Sequence, residues 1–133
     1  MILLDTHYLI WWLLKSDRLR KAEDAAFLEA SEAGQLYVSA ISFWEIDLLV
    51  RKGKIRLNID FEAWVAAIKE SGIIKILPVD EDVIVFTRRL PESFHGDPAD
   101  RFITATAMCT GLSLLTADRK IIQSGACKIW SPG

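Results

Sequence analysis

With two cysteines, four prolines and seven glycines in 133 residues, this chain has few covalent or conformational props. So little cysteine excludes a disulfide-stapled scaffold. Cys109 and Cys127 show neither a CxxC pair nor metal-ligand spacing, and both read as buried, reduced thiols. Sparse proline and glycine exclude collagen-like and low-complexity classes. Long hydrophobic runs are also missing. Tyr8 to Leu14 is the longest, far short of the roughly 20 residues that span a bilayer. Asp5 interrupts the first apolar run, so no signal-peptide core is present. The expectation is a cytoplasmic protein without a membrane partner. Nor is there an excess of either charge. Sixteen Lys and Arg face 18 Asp and Glu, for a net charge of −2, which excludes nucleic-acid binding by bulk charge. Basic residues gather only locally, as Lys15, Arg18, Arg20 and Lys21, then Arg51, Lys52, Lys54 and Arg56, then Arg88 and Arg89. Solvated helix faces explain them, and local phosphate contact is the alternative.

What is present is a regular alternation. Apolar runs read as strands at Met1 to Leu4, Leu36 to Ser39, Ile73 to Val79, Leu112 to Leu115 and Cys127 to Trp130. Helical stretches lie between them: Tyr8 to Leu14, Leu19 to Ala33, Ser42 to Lys52, Asp60 to Ser71, Asp80 to Leu90, Asp97 to Thr110 and Asp118 to Gln123. Gly34, Gly53, Gly72 and Gly111 sit where four of these should stop. Such alternation predicts an α/β domain with a mostly parallel sheet, one domain over residues 1–133. The loop from Pro91 to Gly96 is the candidate flexible segment. Tyr8 to Leu14 is apolar all round, so it either packs in the core or offers an interface to a second copy or another protein.

Acids follow the apolar runs. Asp5 closes Ile2-Leu3-Leu4, Glu45 comes soon after Leu36 to Ser39, Asp100 opens the run from Phe102, and Asp118 follows Leu112 to Ala117. Ligands of open α/β sheets gather beyond the carboxyl ends of the strands. Carboxylates brought together there repel one another unless protonated or neutralised. A hard cation such as Mg²⁺ is the usual neutraliser, which points to metal-dependent phosphodiester hydrolysis. Each acid also has a plainer explanation. Asp5 and Asp118 suit helix N-caps. Ser42-Phe43-Trp44-Glu45 fits a capping box. Asp97, Pro98 and Asp100 fit a helix start, and Asp80, Glu81 and Asp82 fit another. Two rivals follow. One is a Mg²⁺-dependent phosphotransfer enzyme with Asp5 as nucleophile, although His7 stands where its second acid belongs. The other is a non-catalytic interaction module whose acids are caps.

Four segments narrow the choice. Leu3-Leu4-Asp5-Thr6-His7, Ser39-Ala40-Ile41-Ser42-Phe43-Trp44-Glu45-Ile46, His95-Gly96-Asp97-Pro98-Ala99-Asp100-Arg101-Phe102-Ile103 and Leu115-Thr116-Ala117-Asp118-Arg119-Lys120 occur in that order. Together they resemble the PIN-domain family, and within it the VapC-type toxins of type II toxin–antitoxin pairs. The resemblance covers nearly the whole chain. It implies a three-layer α/β/α fold, a Mg²⁺ or Mn²⁺ ion, cleavage of RNA, a cognate antitoxin and a homodimer. Asp5, Glu45, Asp100 and Asp118 match the family's metal-binding acids, and Thr6 and Thr116 match its supporting hydroxyl positions. Asp97 is close enough to contribute through water or as a cap. His7 reads as a satisfied structural histidine, and His95 as a possible substrate contact.

Overall fold

The computed structural model describes residues 1–94 and 96–132. Among these residues, four short strands form the sheet: β1 (Ile2–Leu4), β2 (Leu36–Ser39), β3 (Lys75–Leu77) and β4 (Ser113–Leu115). Their order is β3-β2-β1-β4, and every pairing is parallel. Among the described residues, seven helices connect or flank them: α1 (Thr6–Leu13), α2 (Lys21–Glu32), α3 (Ile41–Arg51), α4 (Phe61–Ser71), α5 (Glu81–Thr87), α6 (Pro98–Thr110) and α7 (Arg119–Ser124).

Side chains of a strand alternate between faces, so a sheet buried on both sides needs unbroken apolar strands. β1 meets that need. Ile2 and Leu4 join one core, with Leu9 of α1, Phe27 of α2, Ile46 of α3 and Ile68 of α4. Leu3 joins the other, with Ile103 and Ala107 of α6 and Ile121 of α7. Three layers result, as expected. β1 and β4 are neighbours although β2 and β3 intervene in the chain. The strand order therefore reverses beside β1, and in an open α/β sheet ligands gather beyond the carboxyl ends of the strands at such a reversal, here β1 and β4.

Local signals explain most boundaries. Gly72 and Gly111 end α4 and α6 with φ of 66° and 75°, a left-handed turn that suits glycine. Asp80 caps α5 by accepting from the Val83 N–H at 3.1 Å, as the plainer reading of that acidic group requires. Several expectations need correction. The strand expected over Ile73 to Val79 is paired only from Lys75 to Leu77. The strand expected over Cys127 to Trp130 reduces to one parallel bridge between Ile129 and Leu114. Two main-chain bonds hold it, Leu114 N–H to Lys128 O and Trp130 N–H to Leu114 O, both 2.8 Å. Pro132, two residues past Trp130, has no N–H to extend the ladder. In the loop 91–96, Phe94 is buried in the second core, while His95 lies outside the described residues.

α1 is mainly a core helix. Tyr8, Leu9 and Ile10 are buried, Trp11, Trp12 and Leu13 are half-buried against the same core, and Leu14 is exposed. Both cysteines are free, and both are half-buried rather than fully buried. Burial pushes the Cys127 thiol up to about 11, so it is inert at neutral pH. Among the described residues, no helix is long and apolar enough to cross a membrane.

Candidate functional site

Asp5 stands at the strand-order reversal. Its N–H donates to the Leu115 carbonyl at 3.1 Å, carrying the β1–β4 pairing one step past the strands. Its carboxylate caps α1 by accepting from the Tyr8 N–H at 2.9 Å. The cap foreseen for it is thus real, but too small to account for the site. An N-cap contributes about 1 kcal/mol, whereas burying a carboxylate costs several. Asp5 is only 7% exposed. Burial therefore dominates and raises its carboxyl above the ordinary value, and the charge of Asp100 raises it further. Hydrogen bonds from the Thr116 hydroxyl and the Tyr8 amide, with the field of His7, offset part of this.

Glu45 lies in the second turn of α3, partly buried. The capping box expected with Ser42 does not form. α3 starts one residue earlier, at Ile41, with Ala40 as an N-cap that makes no side-chain bond. Ser42 is therefore inside the helix, and Glu45 is not engaged with the helix start. Burial raises the Glu45 carboxyl, and the nearby charges of Asp100 and Asp97 add to the rise. A hydrogen bond with Thr6 and the field of His7 act the other way. The Thr6 and Ser42 hydroxyls are themselves bonded at 3.0 Å.

Asp100 and Asp97 arrive on α6. Asp97 is the N-cap, accepting from the Asp100 N–H at 3.3 Å, and Pro98 opens the helix. That pair behaves as its sequence suggested. The start of α6 also places Asp100 where its charge acts on both Asp5 and Glu45. Asp118 caps α7 through one oxygen, Oδ1, which accepts from the N–H groups of Lys120 at 2.8 Å and Ile121 at 3.4 Å. Its own N–H donates to Thr116 Oγ1 at 3.0 Å. Thr116 thus links Asp118 to Asp5.

Asp100 and His7 each act on both Asp5 and Glu45, Asp97 acts on Glu45, and Asp118 is joined to Asp5 through Thr116. Among the described residues, no three His, Cys, Asp or Glu side chains form a ready metal cage. The donors nevertheless suit a hard divalent cation. They are carboxylates and hydroxyls, and two of the acids, Asp5 and Glu45, are raised by burial and by the charge of Asp100. The ion pairs among the described residues are Arg20–Glu23 and Arg51–Asp47, and neither involves Asp5 or Glu45. Thr104, one turn along α6 from Asp100, is buried with a hydroxyl that has no partner. Mg²⁺ commonly takes one or two carboxylates, several waters and the phosphates of its substrate, so no closed protein cage is required.

Two neighbours were missed by sequence reasoning. His7 is exposed rather than buried, and its field reaches both raised carboxylates. Its place two residues past Asp5, on the first turn of α1, was the available signal. Ser42 suits a cap by sequence and is instead buried inside α3.

The sequence profile of the PIN domain matches residues 2–125. Ribonuclease VapC22 of Mycobacterium tuberculosis (strain ATCC 25618 / H37Rv) is 37% identical over 120 residues, which cover 90% of this chain and 88% of that protein. FitAcB from Neisseria gonorrhoeae superposes with a TM-score of 0.68 at 25% identity, over 99% of this chain and 98% of the other. A toxin–antitoxin complex from Klebsiella pneumoniae contains a chain that shares the fold, with a TM-score of 0.65 at 20% identity, over 100% of this chain and 98% of that one. A profile matched over nearly the full length, a close relative along most of the sequence, and strand-end acids at the β1–β4 reversal agree: the chain belongs to the PIN-domain family.

Proposed function

We propose that this PIN-domain chain is a divalent-metal-dependent endoribonuclease and the toxin of a toxin–antitoxin pair. The observation that carries the reading is Asp5, a carboxylate buried at the strand-order reversal and raised by burial and by Asp100. A stable fold has little use for such a group without a cation. The ribonuclease name of the 37% identical relative supports the same reading.

Asp5 and Asp100 are the residues to hold Mg²⁺ or Mn²⁺. Glu45 and Asp118 complete the site or hold its waters, and Asp97 acts through water. Thr6 and Thr116 orient Glu45 and Asp5 by hydrogen bonds. When bound, such an ion lowers the pKa of water and offsets charge on the phosphoryl oxygens. Because the ion attracts the phosphate directly, the chain needs no basic surface overall. With water as the attacking group, the products carry 5′-phosphate and 3′-hydroxyl ends. The partners are RNA, a cognate antitoxin and a second copy of the chain.

The test is cleavage of total bacterial RNA by purified protein with Mg²⁺, with Mn²⁺ and with EDTA, beside Asp5→Asn and Asp100→Asn. Cleavage that needs metal and disappears in both variants is expected. Full activity in both would remove these residues from the chemistry, and 2′,3′-cyclic phosphate ends would overturn attack by water. Light scattering at micromolar concentration tests the second copy, and a monomer would remove it.

A further inference from the structure

The sequence points to α1 for an interface, but the core takes most of that helix. The exposed apolar surface lies elsewhere. Among the described residues, Ile84 and Val85 of α5 are the only large hydrophobics adjacent in the chain that are both exposed, at 53% and 51%. Hydrophobics scattered singly over a surface are ordinary, and a contiguous pair is less so. Both are β-branched, which lowers helix propensity. A helix face kept for water would sooner carry Ala, Glu and Lys, as α2 does.

α5 packs against α6. Val83 is buried and Phe86 and Thr87 are half-buried, so these three mark its inner side. The outer side follows from the helical period. Glu81, Ile84, Val85 and Arg88 stand at i, i+3, i+4 and i+7, one stripe along the helix. All four are exposed. Arg88 is the C-cap, yet its φ of −70° and ψ of −18° are helical and keep it on the stripe. The ion pairs among the described residues leave out both Glu81 and Arg88. Arg89 differs, because its guanidinium lies 4.3 Å from the centre of the Phe86 ring.

The stripe is its own complement. It runs acid, apolar, apolar, base. If a second copy is laid antiparallel, about a two-fold axis midway between Ile84 and Val85, Glu81 faces the partner's Arg88 and Ile84 faces the partner's Val85. Two-fold interfaces have this self-complementary form. The helix dipole accounts for the two charges singly, acid at the N-terminal end and base at the C-terminal end. It does not account for the apolar pair between them.

We propose that the outer stripe of α5 is the two-fold docking surface for a second copy of this chain. The apolar pair drives association, and the charges fix the antiparallel orientation. The proposal rests on the homodimer reading above and gives it a surface.

Arg88→Glu, Glu81→Arg and the double variant test it by sedimentation equilibrium at low and high salt. The parent should dimerise, less tightly as salt rises. Each single reversal sets like charges face to face at both ends of the stripe and should weaken association by at least about tenfold. The double variant restores the pairing and should dimerise like the parent. It also opposes the helix dipole at both ends, so charges that acted only within their own helix would make it the poorest of the three. Val85→Lys should be monomeric at the same concentrations. A double variant as weak as the single ones would overturn the proposal. So would single reversals that associate like the parent, which would leave the stripe to a different protein. A monomeric parent would break the homodimer reading, and the proposal with it.

Discussion

Two carboxylates border α1, and the fold treats them oppositely. Glu23, on α2, is 1% exposed. Its Oε1 accepts from the Arg20 N–H at 3.0 Å, and its Oε2 accepts from the Tyr8 hydroxyl at 3.0 Å and an Arg20 guanidinium N–H at 3.1 Å. Burial pushes the Glu23 carboxyl up, but these donors outweigh it and hold it below the ordinary value. Tyr8 answers in kind, pushed up to about 12, chiefly by its own burial and also by the hydrogen bond to Glu23. Asp5 is also buried, with donors from Tyr8 and Thr116, yet it stays raised and faces Asp100. One acid is satisfied by its own chain, while the other is left raised, which suits the cation proposed for it. Burial alone does not mark a functional carboxylate, and the sign of the balance does.

The largest expected effect separates the two. Asp5→Asn should lower RNA cleavage by about 10³-fold, in the range seen when a group aimed at transition-state charge is removed. Its melting temperature in EDTA should equal or exceed the parent's. Glu23→Gln should do the reverse, losing about 2 kcal/mol of stability as charge-assisted bonds weaken, with cleavage per folded molecule unchanged. Chemical denaturation beside the cleavage assay reads both, and an unstable but active Asp5→Asn protein would erase the contrast.

A smaller effect concerns pH. The folded values of Asp5 and Glu45 lie above the reference values of 3.8 and 4.5. The folded protein therefore holds protons there that the unfolded chain has released. The resulting stabilisation is complete below those reference values and is lost as pH rises through the raised folded ones. Glu23 has the opposite sign, giving stability above its reference value of 4.5 that is lost as pH falls through its lowered one. In EDTA, Asp5→Asn should flatten the loss of stability on the way up from that acid range. Melting curves across pH 3 to 7 check this, and a slope shared by parent and variant would assign it elsewhere. The smallest effect is Tyr8→Phe, which removes one donor from Glu23. It should cost about 1 kcal/mol and leave both cleavage and Mn²⁺ affinity intact, since Asp5 is capped by the Tyr8 main chain rather than its phenol. Loss of Mn²⁺ affinity in that variant would join the two ends of α1 into one network.

The layers of the fold were legible because strand and helix patterns alternate and glycines mark the stops. β2 has the bounds its apolar run implies, and Gly72 and Gly111 end the helices they were expected to end. Pairing at the edges was not legible, because Cys127 to Trp130 reads as a strand by composition and yet meets β4 at only one residue. The acids at the ends of β1 and β4 could be read off as candidates. Their company could not. Nothing in Ser42-Phe43-Trp44-Glu45 says that α3 begins one residue earlier, and that shift turns Ser42 from a cap into a partner of Thr6. The burial of Glu23 is not legible either, because a glutamate in an Ala-, Glu- and Lys-rich helix resembles its solvated neighbours until Tyr8 arrives from α1.

The amide of Asp5 is held by the carbonyl of Leu115, so the floor of the site is stitched from segments far apart in the sequence. No local piece of the fold can confine this acid alone: it is confined only once β4 has docked on β1, a contact that must first offset the entropy of closing a long loop.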